Sequence, residues 1–296
     1  MRFALIGGAG YVAPKHMKAI KDTGNELVAV LDPHDSVGIL DSYFPDARFF
    51  TSFERFDRYI DKIRREGNPI DYITVCSPNY LHDTHCRFAL RSQADVICEK
   101  PLSMSPWNVD GLEQMEKETG KSVFNILQLR LHPAIIALKR KVDRAPEGYN
   151  HIVDLTYITS RGKWYFTSWK GDYKKSGGLA FNIGIHFFDM LLWIFGRVHE
   201  IIVRQVTDKK ASGWLELEKA TVQWKLSVDS TELPEQAVQQ GMRTWRSIKV
   251  DSEEIEFSGG FTDLHTESYS HIFAGNGFRI KDVRPSIELV HQIQKG

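Results

Sequence analysis

The first half of the sequence alternates short apolar runs with longer amphipathic stretches. Apolar runs that are buried on both faces are typical of a parallel sheet, and the stretches between them have the length of crossover helices. This pattern predicts five or six parallel strands, at residues 3–6, 27–31, 48–50, 72–76, 95–98 and 123–127. It predicts helices between them at residues 14–23, 55–66, 84–91 and 108–119.

The periodicity changes at about His151, from buried runs to strict alternation. Apolar residues occupy the even positions from 220 to 228, and polar residues occupy the odd positions from 221 to 229. Because side chains alternate across a strand, this pattern predicts an antiparallel sheet with one face in water. Further strands are predicted at 151–159, 200–207, 247–250 and 254–257, with an apolar helix at 182–195 and a closing helix at 285–294.

Composition and charge exclude several kinds of partner. Lys and Arg number 38, as do Asp and Glu, so the formal net charge is zero and neither nucleic acid nor an anionic membrane is expected to bind. The apolar stretch 183–196 is interrupted by His186 and Asp189 and falls short of the ~20 residues of a spanning helix. Three cysteines without a CxxC spacing predict reduced thiols, a cytoplasmic location and no metal site.

A glycine-rich loop follows the first predicted strand. Gly8, Gly10 and Ala13 fit the pattern GxGxxA. The first glycine allows a tight turn, the second lets the backbone approach a pyrophosphate, and the small third residue lets the helix pack closely on the strand. Because a strand precedes the loop and a helix follows it, the pattern predicts a Rossmann dinucleotide site that includes Gly8, Gly10, Tyr11 and Val12.

An acidic residue, Asp32, ends the second predicted strand at the distance from the loop that this motif requires. Its carboxylate can accept hydrogen bonds from an adenosine ribose, and its charge would repel a 2′-phosphate. The residue therefore favours NAD over NADP as the cofactor. The alternative is an acidic residue that merely ends a strand.

Two later strands of the same series also end in polar residues. Ser77, Pro78 and Asn79 follow the strand 72–76, and Glu99 and Lys100 follow the strand 95–98. The carboxyl ends of parallel strands open onto the ligand crevice of this fold, so these residues are expected to face the cofactor. A partly desolvated lysine at such a place can exchange protons or polarise a substrate oxygen near neutral pH.

Five motifs, taken in order, resemble those of the glucose-fructose oxidoreductase, inositol dehydrogenase and rhizopine-catabolism family. They are Gly8-x-Gly10-x-x-Ala13 with His16, Ser77–His82, Glu99-Lys100-Pro101, Arg130-x-x-Pro133 and Gly184-x-His186-x-x-Asp189. The alternating second half resembles the open-faced sheet of the same family. The resemblance implies that a sugar alcohol is oxidised, or a keto-sugar reduced, by hydride transfer with a nicotinamide cofactor.

The resemblance places the family's catalytic lysine and histidine at Lys100 and His186. Oxidation removes a proton from a hydroxyl as hydride leaves its carbon, and a neutral His186 within hydrogen-bond reach is a credible base. Lys100 would orient the hydroxyl and stabilise the developing alkoxide. The cofactor contacts that follow are Gly8, Gly10, Tyr11, Val12, Asp32, Ser77, Pro78, Asn79, His82, Glu99, Lys100 and Gln128.

Two features depart from the family pattern. Many members have an aspartate where this sequence has Asn182, and an amide can form hydrogen bonds but cannot relay a proton. A three-residue acid-base relay is therefore not expected. The glycine loop also has one residue more than usual between Ile6 and Gly10, which changes the expected pyrophosphate contacts.

Within the family, the chain is similar to bacterial enzymes that oxidise the C3 hydroxyl of UDP-N-acetylglucosaminuronic acid for lipopolysaccharide O-antigen. The similarity lies in residues 10–20, 40–46 and 128–133. A loop of cations and aromatic rings suits such a substrate, because a diphosphate needs positive charge and a base or sugar needs an aromatic wall. The predicted substrate contacts are Lys100, Arg130, Arg161, Lys163, Trp164, Tyr165, Trp169, Asn182 and His186.

These predictions describe an α/β protein with an N-terminal Rossmann NAD-binding domain at 1–122. A C-terminal α+β domain at 123–296, with an open-faced and mainly antiparallel sheet, is expected to bind substrate and to form a dimer or tetramer. Its apolar residues, Trp214 and Trp224 among them, need helices or a partner subunit to cover them. Two alternatives are a dehydrogenase of a free sugar or inositol, and a catalytically silent NAD-binding regulator.

Overall fold

The buried strands predicted in the first half form one parallel sheet of six strands. The computed structural model of the protein describes residues 1–257, 259–260 and 262–295. The strands are β1 (Arg2–Ile6), β2 (Glu26–Leu31), β3 (Arg48–Phe50), β4 (Tyr72–Val75), β5 (Asp95–Cys98) and β6 (Val123–Asn125). Their order, β3-β2-β1-β4-β5-β6, is that of a Rossmann fold.

Amphipathic helices connect these strands, as the periodicity predicted. In α3 (Phe53–Arg65), Phe56, Ile60 and Ile63 are buried, and their spacing puts them on one face of the helix. The other helices are α1 (Ala13–Asp22), α2 (Leu40–Tyr43), α4 (His82–Arg91) and α5 (Pro106–Thr119). Each of the four helices predicted between these strands is confirmed to within two residues at either end.

The alternating second half forms a separate six-stranded sheet. The elements between residues 133 and 254 are α6 (Pro133–Asp143), β7 (His151–Thr159), α7 (Lys163–Thr167), α8 (Tyr173–Ser176), α9 (Ile185–Phe195), β8 (Val198–Val206), β9 (Lys210–Leu217), β10 (Ala220–Ser227), α10 (Glu235–Gln239), β11 (Thr244–Val250) and β12 (Glu253–Glu254). The strand order is β12-β11-β7-β10-β9-β8. Only β7 and β10 pair in parallel, so the sheet is mainly antiparallel, as predicted.

The buried face of this sheet is covered by α9. The ring of Phe188 lies edge-on to Trp224, with centroids 5.1 Å apart. A Cβ at Gly184 would lie 2.7 Å from a methyl group of Leu226, so a side chain there would displace Leu226. Trp214 pairs with Gln223 and lies on the face opposite Trp224, which corrects the expectation that both tryptophans share the buried face.

One helical stretch, 173–195, is long and apolar enough to cross a membrane by length and composition. It is longer than the apolar stretch predicted from sequence, because helical turns extend it on the N-terminal side. However, 72% of its most apolar window is buried within the protein. Its apolar side chains therefore form core, as the packing of Phe188 on Trp224 illustrates.

Two compact units divide the chain, Met1–Gln128 with Thr262–Arg284, and Leu129–Phe261 with Pro285–Gly296. The predicted boundary at 122/123 differs from this division, because β6 is hydrogen-bonded to β5 in the first sheet. The helix α11 (Leu264–Phe273) also belongs to the first unit, where Tyr269 joins the core around Phe3 and Leu5. The last helix is α12 (Ile280–Lys295).

Candidate active site

The glycine loop makes backbone contact with the end of β4. Gly7 has a φ of +100°, and a Cβ there would lie 2.6 Å from the carbonyl carbon of Cys76, so only glycine fits. The sequence motif placed the tight turn at Gly8, but the structure places it at Gly7, and Gly8 packs against Val30 instead. The extra residue of this loop is visible in the sequence as two consecutive glycines, Gly7 and Gly8, either of which could make the turn. A side chain at Gly10 would crowd the loop, because its Cβ would lie 3.1 Å from the Gly7 carbonyl oxygen.

Asp32, at the end of β2, fastens the glycine loop to the sheet. Its Oδ2 accepts a hydrogen bond from the Ala9 N–H at 2.9 Å, and its Oδ1 accepts one from the His34 N–H at 2.9 Å. An ionised carboxylate has about four lone-pair sites, so acceptor capacity is left for ribose hydroxyls. The loop and this carboxylate fit an adenine dinucleotide, and a contact of Asp32 with the ribose is still a prediction.

The turn after β4 carries three of the predicted cofactor residues. Ser77 and Asn79 are buried, and Pro78 precedes a 3-10 turn over Asn79–Leu81. The Ser77 hydroxyl lies 2.8 Å from Nδ1 of His85 on α4. Burial, with a smaller contribution from the nearby His82, lowers the pKa of His85 to about 4, so its ring is neutral at pH 7. The turn is thereby anchored to α4.

His82 joins this turn to the segment that carries Lys100. Its Nδ1 lies 2.7 Å from the Pro101 carbonyl oxygen, and its Nε2 lies 2.7 Å from the Ser77 carbonyl oxygen. Two carbonyl acceptors favour the doubly protonated ring, whereas burial lowers the pKa of His82. Both ring nitrogens are engaged by the protein, so the predicted contact of His82 with a cofactor has no support from this geometry.

Glu99, which precedes Lys100, accepts hydrogen bonds from two histidines. Its Oε1 lies 3.1 Å from Nε2 of His16 and 2.9 Å from Nε2 of His265, and its Oε2 accepts from the Lys100 backbone N–H at 3.2 Å. Burial opposes ionisation, but the hydrogen bonds from both histidines outweigh it and hold the pKa of Glu99 well below its usual range. His265 lies 166 residues from Glu99, and no sequence motif indicated it.

The other predicted cofactor residues of the first unit differ in exposure. Lys100, Val12 and Gln128 are half-buried, whereas the Tyr11 side chain is 88% exposed. A large ring that contributes nothing to the core, directly after the glycine loop, is available to a ligand. The structure therefore leaves these four residues as predicted contacts.

In the second unit, His186 is the second residue of α9 and is half-buried. Asn182 precedes it on a π-helical turn over Ala180–Gly184, a feature that is frequent at functional sites. The sequence predicted one regular helix from residue 182, but regular α-helix begins only at Ile185. The π-helical turn therefore carries Asn182, four residues before His186, the predicted catalytic histidine.

Tyr165 orients the Asn182 side chain. The Asn182 Nδ2 donates to the Tyr165 hydroxyl at 2.8 Å. The Tyr165 side chain is only 3% exposed, and burial raises its pKa. This corrects the expectation that Tyr165 belongs to an exposed aromatic wall, because its ring is part of the interior and its hydroxyl supports Asn182.

Arg130 and Asp189 form a buried ion pair in the second unit. Arg130 Nε donates to Asp189 Oδ2 at 2.9 Å and Nη2 donates to Oδ1 at 2.7 Å, a bidentate arrangement. Both side chains are less than a tenth exposed. The ion pair with Asp189 explains why Arg130 is buried without any ligand. The contact of Arg130 with substrate stays a prediction.

The loop before α8 brings cations and aromatic rings together. Arg161, Lys163 and Trp164 are exposed, and Trp169 is half-buried. The Lys170 Nζ lies 5.6 Å from the Trp164 ring centroid and 5.7 Å from that of Trp169, which are cation–π distances. Burial, and next the charge of Arg161, lower the pKa of Lys170. Lys170 is thus an additional cation that the predicted substrate contacts did not include.

The strand order, the glycine loop and Asp32 make the first unit a dinucleotide-binding unit of the kind found in nicotinamide-dependent oxidoreductases. The chain belongs to the glucose-fructose oxidoreductase, inositol dehydrogenase and rhizopine-catabolism family. The family's NAD-binding Rossmann domain matches residues 1–126, and its C-terminal alpha/beta domain matches residues 151–222. The resemblance and the α/β fold class predicted from sequence are confirmed.

Solved structures include a protein that is similar over nearly the whole chain. This is the WlbA (WbpB) dehydrogenase from Thermus thermophilus, which is 48% identical in its complex with NAD and UDP-GlcNAcA, with a TM-score of 0.96 over 99% of this chain and 94% of that chain. Its complex with NAD and alpha-ketoglutarate has the same TM-score of 0.96. The WlbA dehydrogenase from Bordetella pertussis, at 18% identity and a TM-score of 0.81, shares the fold.

Among curated proteins, the inositol 2-dehydrogenase of Rhizobium meliloti (strain 1021) is 29% identical over 201 residues. The match covers 66% of this chain and 55% of that protein. The chain spans about half the length of the curated relatives it matches.

Proposed function

We propose that this protein is an NAD-dependent dehydrogenase that oxidises the C3 hydroxyl of UDP-N-acetylglucosaminuronic acid to the 3-keto sugar. The observation that carries the proposal is the near-complete structural match, at almost half identity, to a dehydrogenase solved with NAD and UDP-GlcNAcA. The predicted catalytic residues, Lys100 and His186, lie in the two matched domains of an oxidoreductase family. We extend the same substrate to this chain.

The cofactor would bind at the glycine loop of the first unit. Gly7 and Gly10 keep side-chain bulk away from a pyrophosphate, and Asp32 would accept hydrogen bonds from the adenosine ribose. When bound, the nicotinamide supplies the acceptor for the hydride. The acidic Asp32 disfavours a 2′-phosphate, which supports NAD over NADP.

His186 and Lys100 would divide the proton chemistry. As hydride leaves C3 with its electron pair, the hydroxyl proton passes to the neutral imidazole of His186. The Lys100 ammonium would donate a hydrogen bond to the same oxygen and stabilise the negative charge that develops on it. Asn182, held by Tyr165, would position the substrate but cannot ionise.

The basic loop of the second unit would bind the nucleotide part of the substrate. Arg161 and Lys170 offer positive charge to a diphosphate, and the Trp164 ring, 54% exposed, offers a surface for a base or sugar. A free sugar has no group that would use these cations. The loop therefore supports a nucleotide sugar over a free one.

Product formation tests the proposal directly. Purified protein with NAD and the UDP-uronate should form a product two mass units lighter than the substrate. Because reduced cofactor can stay bound, a parallel reaction with alpha-ketoglutarate should allow repeated turnover, with 2-hydroxyglutarate formed as NADH is reoxidised. If neither the keto sugar nor NADH appears in either reaction, the proposal is wrong.

Oxidation of a free sugar or inositol is the second candidate, favoured by the match to an inositol 2-dehydrogenase. The two functions differ in their response to UDP. A UDP-sugar dehydrogenase should be inhibited by UDP in competition with its substrate, whereas an inositol dehydrogenase should be unaffected. A chain that binds NAD but oxidises none of these compounds would be the silent regulator.

We assign the enzyme to lipopolysaccharide O-antigen biosynthesis in the cytoplasm, where its nucleotide-sugar substrate and NAD are both available.

We also propose a homo-oligomer, in the form of a dimer or homotetramer built through the open sheet face. On that face Ile152 is 61% exposed and Ile202 is 48% exposed, which is unusual for a sheet in water. Light scattering after gel filtration should give a multiple of the 34.0 kDa chain mass, and Ile152→Glu should lower it.

A further inference from the structure

A network of buried, hydrogen-bonded polar side chains extends through the first unit from β4 to Glu99. The Thr74 hydroxyl lies 2.8 Å from the Tyr269 hydroxyl, which lies 3.0 Å from Nδ1 of His16. The other ring nitrogen of His16 reaches Glu99, and so does His265. All five side chains are at least nine-tenths buried, and they come from β4, α1, β5 and α11.

With Glu99 ionised and His16 neutral, the hydrogen bonds of this network run in one direction. An ionised Glu99 can only accept, so Nε2 of both His16 and His265 must carry a hydrogen. Burial lowers the pKa of His16, so its ring is neutral and its Nδ1 must accept. The Tyr269 hydroxyl therefore donates to His16, and the Thr74 hydroxyl donates to Tyr269.

The result is a buried carboxylate that accepts hydrogen bonds from three donors. A buried carboxylate is costly unless it is hydrogen-bonded, and here two imidazoles and the Lys100 N–H serve it. Burial raises the pKa of Cys76, Cys98 and Tyr269, so these neighbours stay neutral too. The groups of variable charge around the network are His82, which faces Glu99, and Lys15, which faces His16.

His16, Glu99 and His265 also have the spacing of a metal site. Every hydrogen-bond donor assigned in this network already has an acceptor, however, and the Glu99 carboxylate oxygen lies at hydrogen-bond distance from both imidazoles. A neutral Nε2–H cannot ligate a metal. In this hydrogen-bonded interpretation each Nε2 carries a hydrogen and does not ligate an ion, and the metal content of the purified protein tests it.

We propose that Tyr269, His16 and His265 are positioning residues that keep Glu99 ionised and correctly oriented, and that through Glu99 they set the position and protonation of the adjacent Lys100. This inference rests on the proposed function for its kinetic consequence. Its structural part, the direction of the hydrogen bonds, does not depend on the substrate.

Tyr269→Phe is the sharpest kinetic probe, because it removes one oxygen and leaves the ring in the core. His16 then loses the donor that fixes its tautomer, and Glu99 loses an ordered donor, so its pKa rises. We expect kcat to fall about tenfold and the acid limb of the kcat–pH profile to move up by about one unit, while the Kd for NAD changes less than about twofold.

Conservative pairs separate positioning from folding. Thr74→Val should reproduce part of the Tyr269→Phe effect, whereas Thr74→Ser keeps the hydroxyl and should restore the wild-type profile. His265→Gln keeps an N–H donor and should lose less turnover than His265→Leu. If Tyr269→Phe and Thr74→Val lower only the melting temperature and leave kcat and its pH profile unchanged, the network is merely structural and the proposal is wrong.

Histidine 15N NMR of the wild-type protein tests the hydrogen-bond direction without any substrate. With His16 assigned through His16→Gln, we expect its Nε2 to be protonated and its Nδ1 not, and we expect that preference to be lost in Tyr269→Phe. Protonation at Nδ1, or stoichiometric metal in purified protein that is lost in His265→Gln, would overturn the proposal. If the wild type does not oxidise the UDP-uronate but the tautomer is as expected, the proposed function fails and the network arrangement stands.

Discussion

Two buried carboxylates, one in each unit, are stabilised in different ways. Asp189 is paired with Arg130, a permanent cation that cancels its charge through two parallel hydrogen bonds. Glu99 instead accepts hydrogen bonds from two histidines and from a backbone N–H. Asp189 lies one helical turn after His186, and Glu99 directly precedes Lys100. The first arrangement anchors a helix through an ion pair, whereas the second places a hydrogen-bonded carboxylate next to a lysine in the sequence.

The largest effects should come from Lys100, which follows Glu99 directly, and from His186, which lies one helical turn before Asp189. On the proposed function, His186→Ala and Lys100→Met should each lower kcat by about 10²–10⁴-fold, because His186 would accept the hydroxyl proton and Lys100 would stabilise the developing alkoxide. NAD binding, measured by fluorescence titration, should survive in His186→Ala. The exposed Lys117→Met and His199→Ala are matched controls, and a similar loss in either control would show that the comparison is unsound.

The Arg130–Asp189 pair should matter mainly for stability. Asp189→Ala leaves a buried guanidinium without its partner and should lower the free energy of unfolding by about 3–5 kcal/mol in urea titrations. The double variant Arg130→Met, Asp189→Leu removes both charges and should recover most of that loss. If the double variant is as unstable as the single one, the pair has a role beyond mutual neutralisation.

The first unit should lose stability in mild acid. The pKa of His85 falls from 6.5 to about 4 on folding, so between these values the unfolded chain binds more protons than the folded one. Protonation of His85 therefore does not lower the free energy of unfolding above pH 6.5. It lowers that free energy progressively as the pH falls to about 4, and it has no further effect below that pH. At about 1.4 kcal/mol per pKa unit, the shift corresponds to roughly 3–4 kcal/mol. Unfolding titrations from pH 4 to 7.5 should show a shallower slope for His85→Gln than for the exposed control His199→Gln.

The smallest effect should come from the support of Asn182. Tyr165→Phe removes the hydroxyl that accepts the Asn182 amide and should lower kcat about fivefold, the value of one modest hydrogen bond. The exposed Tyr173→Phe is the control. An unchanged kcat in Tyr165→Phe would show that Asn182 is oriented by other contacts.

Much of the first unit could be predicted from local patterns. Buried strands such as 72–75 are continuous apolar runs, and helices such as 53–65 carry apolar residues at the helical period, so both are visible in short windows. The glycine loop was also located, although the doublet hid which glycine makes the turn. These features depend on neighbouring residues alone, and local chemistry suffices to infer them.

The surroundings of the two predicted catalytic residues depend on distant parts of the chain. The motif around Lys100 was evident in the sequence, but Tyr269 and His265 come from a helix that returns to the first unit after the whole second sheet. Likewise, Arg130 and Asp189 meet only once α9 has packed. The resemblance of the sequence motifs to a known family indicated Lys100 and His186. The hydrogen bonds and ion pairs near them join remote segments, which meet only in the folded chain, so local sequence does not encode them.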